Sequence, residues 1–569
     1  MGHRIFVFFF ILFVTFLPIE AQDLGQQYIY KWQEFYPGKA LAQGMHQAVF
    51  VYEDFSSEAI EEWLVYNKEV REQLSDPNHP YVILQSIDAR LLKVQIDREL
   101  HLWEEKMPHL TDAELYLDAV KEISRRAERY DFLTPEDMQI LTCTSVSAIT
   151  RICQAAIDGL ERLKGKPNIE FLFPLAVHFR TDCEDMESEC HNSENKCDLA
   201  AEAISLLIDH LEKLEIRDDN NDGVLGIEEY TRRLNWYTDS DLTPGILRDL
   251  AREEIEETKK EMAKVSSDYL LTTYSDLELP SDPANVIKRA LQDMEKDVVS
   301  NAAEYLEFWQ ELTAAAEQFV VDNRIATLPV DPSLRIMTAP ESAGPAARIG
   351  WVDSAPPFAP NPVTTLYLPS IPDSLPEEEQ RDFWASFNKP FNRMIAIHEL
   401  IPGHYMQLKI SRETVHPIRL LFPYGPYIEG WATFTEKILL DAGWEKERPL
   451  TYLAHLRKRL ENANRAYTSV MTHCYGWTKD EVMDFSIDTS LLAPQFAKSL
   501  WGRLMRSPMQ ITSYFYGGWQ FKELYARQKA QLGKDFDLRY FMDTVMKAGP
   551  IPIEEFDDIF NYHKKLNKD

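Results

Sequence analysis

Residues 398–407 read His-Glu-Leu-Ile-Pro-Gly-His-Tyr-Met-Gln, directly after the apolar helical run Met394-Ile395-Ala396-Ile397. His398 and His404 are six residues apart, which corresponds to about 240° around a regular helix, so a straight helix cannot direct both rings to one point. Pro402 lacks an N–H and its ring clashes with the carbonyl of His398, while Gly403 has permissive dihedral angles. We therefore predict a break at Pro402-Gly403 that brings His404 back beside His398.

The same segment is similar to the HExxH motif, in which two histidines bind zinc and the glutamate acts as a general base. His398 and His404 are thus candidate metal ligands, and Glu399 is the candidate base. The alternative is a pair of capped or surface histidines in a kinked helix. The segment alone leaves both interpretations open.

A second pair of acidic residues lies on one predicted helix face further along the chain. Glu429 and Glu436 are seven residues apart, in the segment that begins Tyr427-Ile428-Glu429-Gly430-Trp431, and residues seven apart share a helix face. The apolar neighbours predict a largely buried helix, where a carboxylate is costly unless it is paired or metal-bound. Glu429 is our candidate third ligand, and Glu436 would orient a ligand histidine. Buried salt bridges to arginine or lysine are the alternative.

The two motifs together resemble a large, mainly bacterial family called domain of unknown function 885. The family pattern is HExxPGHxxQ followed by EGWAxYxE, and this chain reads HELIPGHYMQ and EGWATFTE. Segments from Arg465 to Trp477 and from Pro508 to Gly517 also look like family motifs. The resemblance covers most of the chain after residue 21. It implies a mostly helical, zincin-like fold, similar to the gluzincin metallopeptidases and thimet oligopeptidase-like enzymes.

The resemblance also implies roles for the candidate residues. His398, His404 and Glu429 would hold zinc, although manganese or cobalt could occupy the same kind of site. Glu399 would take a proton from a water molecule whose pKa zinc can lower to about 7. Glu436 would support one of the ligand histidines.

Three further polar residues are candidates for contact with the substrate. Tyr514 and His473 would donate hydrogen bonds to a carbonyl oxygen as negative charge develops on it. Arg465 would hold a substrate carboxylate or support the site. Each has an ordinary alternative, namely a buried side chain with satisfied hydrogen bonds or an arginine in an ion pair.

Most of the remaining chain has helical patterning. Apolar residues recur at spacings of three and four from Ser56 to Lys164, which is typical of amphipathic helices. Short β-like runs occur at Leu334–Thr338 and Thr364–Leu368. We predict a mainly α fold, a single helical body over residues 22–569 with a small β element lining a central cleft. An edge strand near Thr364–Leu368 would pair with an extended peptide, or the element is an ordinary hairpin.

Charge and composition exclude two classes of protein. The 569-residue chain has 92 acidic and 60 basic side chains, a net charge of -32 and a pI of about 4.9. A chain this acidic is unsuited to phosphate backbones, so we expect no nucleic-acid partner. Hydrophobic residues make up 45% and charged residues 27%, which excludes a chain that is disordered as a whole.

The N-terminus has the pattern of a secretory signal. Arg4 precedes the apolar run Ile5–Leu17, which is shorter than the roughly 20 residues that span a bilayer. We predict a signal peptide over residues 1–21, with an uncleaved anchor as the alternative, and no later membrane span. The mature protein would be periplasmic or extracellular, where cysteines favour disulfides. A bridge within the loop Cys183–Cys197 is the expected one.

Residues 218–229 read Asp-Asp-Asn-Asn-Asp-Gly-Val-Leu-Gly-Ile-Glu-Glu. Asp218, Asn220, Asp222, Val224 and Glu229 fall at ligand positions of a calcium-binding EF-hand loop. EF-hands usually occur in pairs, and the sequence contains no second loop of this kind. A calcium site and a plain Asx-Gly turn are therefore both open.

These observations predict an exported zinc-dependent peptidase that acts on small or extended peptides. One alternative is a metal-dependent amidase or esterase with non-peptide substrates. Another is a secreted, non-catalytic metal-binding or calcium-binding protein. Glu399 favours an enzyme, because a non-catalytic protein has little reason to keep the base beside all three ligands.

Overall fold

The computed structural model describes residues 23–130, 132–181, 196–216, 223–372, 374–385 and 387–566. Within these ranges the chain is mainly helical with one small sheet, which confirms the predicted fold class. The predicted signal peptide lies outside the described residues, as do Cys183 and Cys190, so the signal and the bridge in the Cys183–Cys197 loop stay predictions. Cys153 and Cys474 are free thiols.

The N-terminal third is a group of helices around its own apolar core. Its longest helix, Pro135–Gly159, starts with a capping box in which Thr134 and Asp137 bond each other's backbone N–H. Such caps satisfy the donors that a helix start leaves free. The helices are Leu24–Phe35, Pro37–Ala42, Ser57–Ser75, Pro80–Leu84, Ser86–Leu100, Pro108–Thr111, Ala113–Arg129, Pro135–Gly159, Leu172–Thr181 and Lys196–Lys213, with a 3₁₀-helix at His46–Phe50 and a π-helical turn at His101–Lys106.

The remaining two thirds enclose two large apolar cores and a smaller one, and the helix Lys389–Glu399 lies between the two large ones. Ile397 of that helix packs into one core and Met394 into the other, so its last turn is held from two sides. The helices of this part are Ile227–Thr238, Pro244–Thr273, Pro283–Met294, Ala302–Asp322, Glu377–Ala385, Lys389–Glu399, His404–Thr414, Pro417–Leu421, Gly425–Asp441, Pro449–Tyr475, Lys479–Asp488, Pro494–Arg506, Gln510–Leu532, Leu538–Ala548 and Glu555–Leu566, with 3₁₀-helices at Glu341–Arg348 and Gly533–Asp535.

The sheet has three strands, β1 (Leu334–Thr338), β2 (Trp351–Asp353) and β3 (Thr364–Leu368). The two β-like runs of the sequence are confirmed. However, β3 pairs in parallel with β1 and antiparallel with β2. The prediction of an edge strand at Thr364–Leu368 is therefore wrong, because neighbouring strands use both sides of its backbone.

One helix in the described part of the chain, Pro135–Gly159, is long and apolar enough to cross a membrane by length and composition. It packs against Ala113–Arg129 and Lys196–Lys213. Leu141 and Ile149 on this helix are fully buried in the N-terminal core. Of its most apolar 18-residue window, 39% is buried inside the protein.

Candidate metal centre

The helix that carries His398 ends where the sequence predicts. Lys389–Glu399 stops before the Pro402-Gly403 pair, and a second helix starts at His404. A Cβ atom on Gly403 would lie 1.8 Å from the carbonyl oxygen of His398, so only glycine fits this close approach. The Trp431 indole donates a hydrogen bond of 2.9 Å to the Pro402 carbonyl. The break is thereby fixed to the helix Gly425–Asp441.

This break brings the three predicted ligand residues together. One donor atom each of His398, His404 and Glu429 lies within 4.8 Å of the others. Glu429 Oε2 is 3.2 Å from His404 Nε2 and 3.7 Å from His398 Nε2. The two imidazole centroids are 4.9 Å apart with an interplanar angle of 85°. Both Nε2 atoms face the same carboxylate, and His398 is buried rather than at the surface.

The electrostatics of the cluster arise from burial and from the charges of its own members. Burial alone would raise the pKa of Glu429, but the neighbouring His404 and His398 hold it well below its usual value. Burial alone would lower the pKa of His398, but hydrogen bonds to Glu429 and Glu436 raise it to about 10. A metal cation would replace the protons that stabilise these carboxylates.

Glu436 lies behind the cluster and has no exposed surface. Its Oε1 atom is 2.7 Å from His398 Nδ1, and its Oε2 atom is 2.6 Å from His455 Nδ1. Because a carboxylate only accepts, each imidazole donates from Nδ1, and His398 presents Nε2 to the cluster. The predicted orienting role of Glu436 has this contact as its structural basis. The buried carboxylate pairs with histidines and not with arginine or lysine.

His455 was not identified from the sequence. It lies on the helix Pro449–Tyr475 and is 1% exposed. No spacing rule connects it to Glu436, because the two residues are on different helices. A histidine inside an apolar helical stretch was the only available signal.

A close helix contact places Tyr514 near the cluster. The helices Gly425–Asp441 and Gln510–Leu532 approach so closely that a Cβ on Gly430 would lie 2.4 Å from the Gly517 carbonyl carbon. The Gln510 amide donates to Glu429 Oε1 at 3.2 Å and to the Tyr514 hydroxyl at 3.3 Å. Burial and the Glu429 charge raise the pKa of Tyr514, so its hydroxyl stays a donor. Gln510 lies in the family-like segment from Pro508 to Gly517 but is not among the predicted site residues.

Two arginines surround the Tyr514 ring. The Arg465 guanidinium is 4.8 Å from the ring centroid, donates to Asn462 Oδ1 at 3.1 Å and pairs with Glu461. This ion pair matches the ordinary alternative for Arg465. Arg503, which the sequence analysis missed, lies 3.4 Å from both Gln510 Oε1 and the Tyr514 hydroxyl. Tyr514 is thus held in a positively charged setting beside Glu429.

Glu399 is the last residue of the His398 helix and is partly exposed. Among the described residues its carboxylate has no hydrogen-bond or ion-pair partner. Its carboxylate is near enough to contribute to the raised pKa of His398. It is therefore the site carboxylate that packing leaves available for chemistry.

His473 lies apart from the ligands. Its Nδ1 atom accepts a 3.2 Å hydrogen bond from the Leu225 N–H, and its Nε2 atom is 3.0 Å from the Leu504 carbonyl. Its ring stacks on Tyr230 with centroids 5.6 Å apart. Burial lowers the pKa of His473. Both nitrogens thus hold backbone segments, and the structure does not bring this residue to the cluster.

The predicted calcium loop is described only in part. Asp218, Asn220 and Asp222 lie outside the described residues. Glu229 contacts Arg233 Nε at 2.7 Å, His101 Nε2 at 3.1 Å and Lys106 Nζ at 3.3 Å. Burial alone would raise the pKa of Glu229, but Arg233 and His101 hold it at about 2. Calcium binding, including any role of Val224, stays a prediction.

The donor set at His398, His404 and Glu429 fits zinc. Two imidazole nitrogens and one carboxylate oxygen are the ligands of many catalytic zinc sites, which leave a further position open. The donors face one another, and no arginine or lysine in the described part of the chain pairs with Glu429. No second group of His, Cys, Asp or Glu in that part converges in this way.

Comparison with known proteins identifies a family whose match includes the residues of this cluster. The sequence pattern described as "Bacterial protein of unknown function (DUF885)" matches residues 37–558. No curated protein matches the chain.

Two solved structures share the fold. One is "a putative lipoprotein of unknown function from Shewanella oneidensis", with 20% identity, a TM-score of 0.78 and coverage of 94% of this chain and 98% of that chain. The other is "the putative lipoprotein from Colwellia psychrerythraea", with 16% identity, a TM-score of 0.69 and coverage of 95% and 98%. The family match spans nearly the whole chain, and the protein belongs to the DUF885 family of bacterial proteins of unknown function.

Proposed function

We propose that this protein is an exported, zinc-dependent peptidase of the gluzincin type. The observation that carries the proposal is the convergence of His398, His404 and Glu429 within 4.8 Å, with Glu399 next in sequence to the first ligand. Zinc held by these three side chains would supply Lewis-acid activation of a water molecule.

The chain's own residues have distinct tasks in this proposal. Glu436 holds His398 in the tautomer that presents Nε2, through the 2.7 Å contact at Nδ1. Glu399 accepts the proton of the attacking water and returns it to the leaving amine. The Tyr514 hydroxyl donates a hydrogen bond to the substrate carbonyl oxygen as charge develops there.

Burial of the site supports chemistry of this kind. Glu436 has no exposed surface, and His398 is 2% exposed. Charges in such surroundings interact more strongly than in water. Arg503, 3.4 Å from the Tyr514 hydroxyl, adds positive potential where an oxyanion would form.

Export is part of the proposal. The apolar N-terminal run and the description of both similar structures as "putative lipoprotein" support an envelope or secreted location. The net charge of -32 gives no basis for a nucleic-acid partner.

The test combines metal content with turnover. Purified protein is analysed for bound metal, loaded with zinc, manganese or cobalt, and incubated with a mixed peptide library. We expect one zinc per chain and peptide cleavage that Glu399→Gln abolishes without loss of zinc. Glu379→Gln, an exposed glutamate, is the matched control and should cleave normally.

Three results would contradict the proposal. Absence of bound transition metal after loading would remove the metal centre. Hydrolysis of simple esters or amides without any peptide cleavage would favour the amidase or esterase alternative. Metal binding without hydrolysis of either kind would favour a non-catalytic protein.

A further inference from the structure

A cavity of about 400 Å³ lies beside the metal centre, on the far side of His455. The helices Pro244–Thr273, Gly425–Asp441, Pro449–Tyr475 and Gln510–Leu532 form its walls. Its volume is within the range of about 300–1,000 Å³ that is typical of small-molecule sites. It is therefore large enough for a small organic ligand.

Three buried polar atoms on the cavity lining lack a hydrogen-bond partner among the described residues. They are Thr433 Oγ1, His455 Nε2 and Asn462 Nδ2. His455 and Asn462 are each 1% exposed. Nearly all buried polar groups in proteins are hydrogen-bonded, so three unpaired groups around one cavity indicate a built binding site.

The hydrogen-bonding roles of these groups define the ligand's polar part. His455 Nδ1 is 2.6 Å from Glu436 Oε2 and must donate to it, so that Nε2 is the acceptor of the neutral imidazole. Asn462 Oδ1 already accepts from Arg465, which leaves Nδ2 as a donor. The ligand must therefore donate one hydrogen bond and accept another. An amide does both, whereas a carboxylate only accepts and an ammonium group only donates.

The rest of the cavity favours an uncharged aromatic body. Phe434, Trp519 and Tyr525 line it, and aromatic rings pack well against one another. The charged groups at its rim are largely paired: Arg459 bridges Glu254 and Glu261, and Lys437 pairs with Asp441. A charged ligand would gain little from groups that are already neutralised.

We propose that this cavity binds an aromatic amide, such as an aromatic residue of a peptide with its neutral amide group, through Thr433, His455 and Asn462. Binding at the cavity is coupled to the metal centre, because Glu436 contacts both His455 and His398. A ligand bonded to His455 alters the hydrogen bonding of Glu436 and hence its support of His398. Amide binding itself does not depend on the proposed peptidase activity.

The experiment is calorimetric titration of the zinc-loaded, full-length Glu399→Gln protein with 3-phenylpropanamide, an aromatic compound with a single amide. This variant prevents consumption of the probe. 3-Phenylpropanoic acid and 3-phenylpropylamine replace the amide with an acid and an ammonium group on the same aromatic body. We expect the amide to bind more tightly than either analogue. Thr433→Val and Asn462→Leu should each weaken it by about fivefold or more, the effect of one lost hydrogen bond.

The control is Thr272→Val, the same change at an exposed threonine that bonds within its own helix, and it should leave probe binding unchanged. Equal binding by Thr433→Val, Asn462→Leu and the parent would overturn the proposal. Absence of binding up to the solubility limit, or tighter binding of the acid, would do the same. Should Asn462→Leu fail to fold, the nearly isosteric Thr433→Val and the three probes still decide the matter.

Coupling is tested by the zinc affinity of the wild-type protein with and without saturating probe. Binding linkage requires the probe to change zinc affinity by the same factor as zinc changes probe affinity. We expect a change of about threefold or more, which His455→Gln removes. An unchanged zinc affinity in wild type would overturn the coupling. Peptide hydrolysis is scored separately, so failure of the peptidase proposal is distinguishable from failure of this one.

Discussion

Two glutamates of this chain occupy metal-ligand positions in sequence motifs, and their surroundings differ. Glu429 forms ion pairs in the described part of the chain only with His404, at 3.2 Å, and His398, at 3.7 Å. Glu229, at the last position of the calcium-like loop, contacts Arg233 and Lys106 as well as His101. Both carboxylates have a lowered pKa.

The difference lies in what the partner cations can do. An imidazole can lose its proton near neutral pH and then offers a lone pair to a metal ion. Arginine and lysine keep their charge at neutral pH and offer no lone pair. Glu429 therefore belongs to a cluster that becomes a cation site when protons leave, whereas Glu229 is already neutralised. A motif carboxylate is best judged by the chemistry of its neighbours.

The largest effect is expected for the ligand itself. Glu429→Ala removes one of three donors, so zinc affinity should fall by more than the ten- to hundredfold typical of residues behind the ligands. Glu229→Gln is the matched change at the other carboxylate and should keep full zinc content. Equilibrium dialysis with metal analysis measures both. Loss of zinc from Glu229→Gln to the same degree would break the comparison.

The variant Glu399→Gln separates metal binding from catalysis. The variant keeps the length and hydrogen-bonding capacity of the side chain but cannot accept a proton. We expect kcat for peptide cleavage to fall by about 100-fold or more, the usual contribution of a general base, with zinc content unchanged. Turnover at an unaltered rate would remove Glu399 from its proposed role.

Glu436→Gln is expected to weaken zinc binding by about ten- to hundredfold. The amide can still contact His398 and His455, but it no longer fixes both as Nδ1 donors. Zinc competition with a chromogenic chelator gives the affinity. A variant with wild-type zinc affinity would show that the 2.7 Å contact to His398 does not tune the ligand.

Local rules allowed part of this site to be predicted from the sequence. The break at Pro402-Gly403 follows from proline and glycine chemistry, and the shared face of Glu429 and Glu436 follows from helical periodicity. Both depend only on residues within two turns of each other. The two longer β-strands were recognisable for the same reason.

Tertiary contacts were not predictable in this way. His455 and Arg503 reach the site from other helices, and no spacing connects them to the ligands. The central position of β3 depends on pairing with strands that are distant in sequence. His473 was nominated from a motif, yet its ring holds the backbone at Leu225 and Leu504.

The pH dependence of the stability of the metal-free protein also distinguishes the carboxylates of the cluster from Glu229. Glu429 and Glu436 raise the pKa of His398 to about 10, against the burial that would lower it. The stabilisation from protonated His398 is therefore complete below an unfolded pKa of about 6.5. It is lost as the pH rises through about 10. We expect the urea midpoint in chelator to fall over this window.

The controls for this prediction are the variants Glu436→Gln and Glu229→Gln. Glu436→Gln should flatten the alkaline decline, because it removes one of the charges that raise the pKa of His398. Glu229→Gln should leave the decline as in wild type. Zinc affinity should change in the opposite direction. Because zinc binding displaces the His398 proton, the affinity increases as the pH rises. An alkaline decline of equal slope in all three proteins would contradict the assignment.

The smallest effect is expected for calcium. For Glu229 to serve as the bidentate ligand of an EF-hand loop, it must leave Arg233, His101 and Lys106. This competition should reduce the affinity of any calcium site formed with Asp218, so we expect little or no calorimetric heat at micromolar calcium. A clear heat in wild type that Asp218→Ala abolishes would show that a carboxylate with permanent cationic partners can still be recruited by a metal ion. Judging a motif carboxylate by the chemistry of its neighbours would then be valid only for transition metals with imidazole ligands.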